Sequence, residues 1–98
     1  MNRINVCGIS YEIKECDNVE INNDGQETLG MLDVTKGIIY IKKDMREDIK
    51  QSVIYHEIVH AIFYNLGYSD LYENEQLVQA LSNTIYQTFN LCVIKEEN

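Results

Sequence analysis

The chain has no proline, no low-complexity run and few basic residues: eight Lys and Arg stand against sixteen Asp and Glu. Without proline, a repeat or a compositional break, nothing marks a linker, and 98 residues make one domain. A formal net charge of −8 excludes the proteins that grip nucleic acid through its phosphates, since that affinity is built on Lys and Arg. No apolar run exceeds a few residues, so no membrane-spanning helix is expected. The start, Met1-Asn2-Arg3-Ile4-Asn5-Val6, lacks the apolar stretch of a secretory signal. Cysteine is sparse as well. Cys7, Cys16 and Cys92 are odd in number and form no CxxC pair, which fits a reducing cytoplasm and small buried thiols.

What remains is ordinary globular usage, 45% hydrophobic and 24% charged, enough for a single core. The two halves differ in period. Over residues 3–42 apolar positions alternate: Ile4 and Val6, a turn at Cys7-Gly8, then Ile9, Tyr11 and Ile13. That is a hairpin pattern. Asn22-Asn23-Asp24-Gly25 is a turn signal, and Thr28–Val34 with Ile38–Lys42 flank a second hairpin turn at Thr35-Lys36-Gly37. Ile38-Ile39-Tyr40-Ile41 reads as a well-covered strand.

From Asp44 the period becomes helical. Asp44 and Glu47 have capping-box spacing, and Gly67 suits a helix end, which predicts a helix over Met45–Leu66. It is apolar on most sides after Val53, so it should be covered on two faces. A second helix is expected over Glu73–Leu91, with Leu77, Val78, Leu81, Ile85 and Phe89 as its stripe. The expected fold class is α+β: a small antiparallel sheet of two hairpins on the long helix, with the second helix on the other side.

The two histidines of the chain stand four apart in His56-Glu57-Ile58-Val59-His60. On a helix, residues i and i+4 project from one face, so both imidazoles reach one ion. Two imidazoles and a carboxylate on one turn of a buried helix are costly without a metal or hydrogen-bond partners. A catalytic zinc takes three protein ligands and keeps a place for water. The third should come from the next helix: Asp70, Glu73, Glu75 and Cys92 are the candidates. Spacing favours Glu75, which shares the stripe Glu75, Val78, Gln79 and Ser82 beside the apolar face.

The segment His56–Ile62, followed by Glu75-Gln76-Leu77-Val78-Gln79-Ala80-Leu81-Ser82-Asn83, resembles the ImmA/IrrE family of metallo-endopeptidases, in particular its small phage-type members. These are minimal gluzincins, common in phages and mobile elements, and the resemblance spans about residues 28–91. It implies a zincin-like fold, a Zn²⁺ cofactor held by His56, His60 and Glu75, and a protein target, often a transcriptional repressor. Leu81-Ser82 departs from the Phe-Ala pair of the family motif, and no helix-turn-helix precedes the catalytic part.

Glu57 points about 100° away from His56 around the helix, so it is placed as general base rather than ligand. Peptide-bond hydrolysis is the reaction this set predicts, with an edge strand to hold an extended substrate. Tyr64 and Tyr86 are candidate donors to the developing oxyanion. A rival reading is a non-catalytic, metal-stabilised partner-binding module of a phage or mobile element. A second rival is a metal-dependent hydrolase of RNA or a small amide, and the −8 charge weighs against RNA.

Overall fold

Alternating apolar residues pair first with their chain neighbours. In this computed structural model, which describes residues 2–21, 26–89 and 94–95, β1 (Asn2–Val6) and β2 (Ile9–Cys16) form the expected antiparallel hairpin. Its two-residue loop holds Cys7 at φ 53° and Gly8 at φ 80°, the left-handed pair that matches the twist of the flanking strands. That loop puts Cys7 at an exposed hairpin tip, and Cys16 is half-buried, so neither is the buried thiol expected. Cys92 and the Asn22–Gly25 turn lie outside the described residues.

The expected strand over Thr28–Val34 is divided. β3 (Val19–Ile21) pairs with β4 (Gln26–Thr28) as a separate two-stranded sheet, and β5 (Gly30–Asp33) begins after the exposed Leu29. β5 and β6 (Ile38–Lys42) form the second hairpin, whose turn is closed by Asp33 Oδ1 accepting from the Lys36 amide. The main sheet runs β5-β6-β2-β1-β7, where β7 is the short Ile94–Lys95.

This sheet is mixed, not antiparallel as expected, because β6 lies parallel to β2 with Ile13 opposite Ile39. The sheet sets one strand of each hairpin, β6 and β2, side by side. Ile39 and Ile41 are fully buried there, as the β-branched run predicts. Alternation specifies pairing within a hairpin, but says nothing about the direction in which two hairpins meet.

α1 (Glu47–Leu66) starts two residues later than expected and has no capping box. Asp44 sits in a left-handed turn at φ 64°, and Arg46 flanks the helix without a side-chain cap. Glu47 instead accepts from Gln51 one turn on. Gly67 does end the helix at φ 81°, where a side chain would be strained. In place of one helix over Glu73–Leu91, the chain forms a short α2 (Ser69–Tyr72) before that span and α3 (Glu75–Thr88) within it. Asn74 divides them, its side chain accepting from the Leu77 amide as the N-cap of α3.

α1 is covered on two faces, as its apolar circumference requires. Ile54 and Ala61, with Ile58 and Ile62, join Ile4, Tyr11, Ile13, Ile39 and Ile41 in the core against the sheet. Tyr55 and Val59 face α3, where Val78 and Ser82 are buried. On α3 only Val78 and Ser82 are buried; of the expected stripe Val78 is buried, Leu81 and Ile85 are half-buried, and Leu77 and Phe89 are exposed, as are Glu75 and Gln79. Contacts pair Asp48 with Tyr86, His56 with Gln79 and His60 with Glu75, so the two helices are antiparallel. Among the described residues no helix is long and apolar enough to cross a membrane.

Candidate metal centre

Antiparallel packing brings the first turn of α3 onto the third and fourth turns of α1. His56 and His60 share a face of α1, and Glu75 of α3 meets both. Its Oε2 lies 3.0 Å from His56 Nε2 and its Oε1 lies 2.8 Å from His60 Nε2, with the two Nε2 atoms 3.2 Å apart. His56, His60 and Glu75 are a group that could hold a metal ion.

The outer hydrogen bonds decide what those atoms need. His60 Nδ1 lies 2.7 Å from the Tyr72 carbonyl oxygen, which can only accept, so this nitrogen carries the proton. His56 Nδ1 donates to Gln79 Oε1 at 2.8 Å, and Gln79 in turn donates to Asn83 Oδ1. With both Nδ1 atoms protonated, each Nε2 of a neutral ring presents a lone pair. Two lone pairs and a carboxylate then converge on one point, and the point must hold positive charge: a proton or a cation. Zinc bonds of about 2.0–2.1 Å in a tetrahedron place ligand atoms about 3.3 Å apart, near the separations found here. The residues therefore fit a metal of this class.

Glu57 is not one of that group. It is 6% exposed and lines the same cavity of about 410 Å³ as His56 and His60. Burial, and secondarily the charge of Glu75, push its carboxyl up to about 8. The opposite wall is β5. An added Cβ at Gly30 would lie 2.4 Å from Val53 Cγ1 and 3.4 Å from Glu57 Oε2, so only glycine lets this edge strand approach so closely.

The other candidates separate cleanly. Asp70 is exposed on α2, and Glu73 follows α2 and borders the cavity without joining the group. Cys92 lies outside the described residues. Tyr86 stacks on Tyr55 at 5.3 Å and donates to the Asp48 carbonyl, away from the histidines. Tyr64 is half exposed and lies against Tyr72. The tyrosine in the cavity wall is Tyr72 and neither of the two candidates. Its ring meets His60 edge-on at 5.3 Å, and burial, then Glu57, push its phenol up. Its only sequence signal is its place three residues before Glu75. No family model matches the chain, and no curated protein or solved structure is found similar to it.

Proposed function

We propose that this protein is a zinc-dependent endopeptidase of the ImmA/IrrE-like, gluzincin type, hydrolysing a peptide bond in a protein substrate such as a transcriptional repressor. The observation that carries the reading is the meeting of His56, His60 and Glu75 beside a buried carboxylate that is not one of them. A site that only stabilised the fold would have no use for that carboxylate. When bound, zinc supplies Lewis acidity, polarising the scissile carbonyl and acidifying a water.

The residues of the chain do the rest. Gln79 and the Tyr72 carbonyl hold the two imidazoles in one tautomer and one orientation. Glu57 takes the proton of the attacking water and delivers it to the leaving amine. Its raised pKa suits a group that must both accept and release a proton near neutrality. β5 is an edge of the main sheet and forms one cavity wall, so its backbone can pair with an extended peptide across the site.

The test is metal analysis together with cleavage of an unfolded protein substrate and a peptide library, with and without chelator. One equivalent of zinc and chelator-sensitive cleavage are expected. Uptake of zinc without cleavage of any substrate would favour the partner-binding module, and no uptake would defeat both readings.

A further inference from the structure

A second open cavity, of about 570 Å³, adjoins the metal centre and shares its Tyr72 and Glu73 wall. It is completed by Tyr64, Asn65, Gly67 and Ser69 at the C-terminal end of α1 and the start of α2. The Tyr64 and Tyr72 rings lie 5.7 Å apart with their planes 59° to each other. Glu73 adds an exposed carboxylate at the shared boundary. Among the described residues no lysine or arginine lines this cavity or the metal cavity, in a chain of net charge −8.

Aromatic faces attract a cation through their quadrupole, and a carboxylate beside them adds to the same field. A lysine or arginine chain can lay its methylenes along phenol rings while its head group reaches an anion. An aliphatic chain of equal length would leave Glu73 unmatched, and an acidic chain would be repelled. We propose that this cavity is a subsite for a lysine or arginine side chain of a peptide lying across the metal centre. Its meaning as a substrate subsite rests on the peptidase reading, and its binding chemistry does not.

The experiment uses the full chain with zinc added and the Glu57→Gln substitution, so that peptide is not consumed. Blocked four-residue peptides carrying arginine, norleucine or glutamate at one position are titrated while backbone amide shifts are followed. Saturable shifts at Tyr64, Ser69 and Glu73 are expected, with arginine binding about three- to tenfold more tightly than norleucine and glutamate weakest. Adding Glu73→Gln or Tyr64→Ala should each cost about two- to fivefold for the arginine peptide, and Tyr64→Phe should cost nothing. Equal affinity for arginine and norleucine, shifts confined to other residues, or no saturation in the millimolar range would overturn the proposal. The peptidase reading fails separately. A wild-type protein that binds the arginine peptide there yet cleaves nothing keeps the subsite. Library cleavage without a basic residue at a fixed position near the scissile bond removes it.

Discussion

The interface between α1 and α3 has two ends built on opposite principles. At one end Tyr55 stacks on Tyr86, and their hydroxyls donate to the Phe89 and Asp48 carbonyls. Both hydroxyls find an acceptor within the protein, so neither needs an added ligand. At the other end His56, His60 and Glu75 turn acceptors toward one another, and the buried Glu57 lines the same cavity. That end is completed only by added positive charge. Val59 of α1 and Val78 of α3 are both fully buried. The lesson is a division of labour along one helix pair: packing fixes the geometry so that the other end can stay electrostatically open.

The strongest way to sharpen this comparison is Glu57→Gln, which keeps shape at the open end and removes the proposed base. Peptide hydrolysis should fall by about 10² to 10⁴ while zinc uptake, measured by metal analysis, stays near one equivalent. Unchanged turnover would show that Glu57 is not the base. His56→Ala should lose metal and activity together.

The next effect concerns stability against pH. In the metal-free protein the Glu57 carboxyl is held at about 8, above its ordinary 4.5, so the folded state binds the proton more tightly than the unfolded state. Stability is then full below about 4.5 and is lost as pH rises toward 8, by up to a few kcal/mol. Denaturant unfolding of chelator-treated protein at several pH values should show this fall, and Glu57→Gln should flatten it. A pH-independent midpoint in the metal-free wild type would break the account.

Gln79→Ala removes the acceptor that orients His56 and leaves all three ligands. Zinc affinity should weaken about 10- to 100-fold in a competition titration, with little change in unfolding of the metal-free chain. An unchanged affinity would mean that packing alone orients the ring. The smallest effect belongs to the closed end. Tyr55→Phe keeps the stack and removes the bond to the Phe89 carbonyl, at a cost of about 0.5–1.5 kcal/mol in denaturant unfolding. Zinc affinity should not move; if it does, the two ends are not separate.

The long helix, its end at Gly67 and the first hairpin were legible because their signals are local. Periodicity, a left-handed glycine and a two-residue turn each act within a few residues of chain. That His56 and His60 share one helix face was legible for the same reason, as was the separation of Glu57 from their group. Cys7 was misread because hydrophobicity alone suggested burial, whereas the turn geometry places it at the tip. The capping box failed because Asp44 is needed in the left-handed turn that carries the chain from β6 into α1.

Spacing narrowed the third ligand to a few carboxylates and a thiol; tertiary packing brought Glu75 to the histidines. Its place depends on α2 ending at Tyr72 with Glu73 as its C-cap and on Asn74 capping the start of α3, so that Glu73 and Glu75 do not share one helix. Gln79 and the Tyr72 carbonyl, which fix the tautomers, are distant in sequence from the rings they hold. The parallel joining of β2 and β6, and the approach of β5 to Glu57 across Gly30, likewise belong to tertiary structure. By itself the sequence determined which residues share a helix face, since side-chain direction repeats with the backbone period. Only the tertiary structure decided which faces meet, because that depends on how whole elements bury their apolar surfaces against one another.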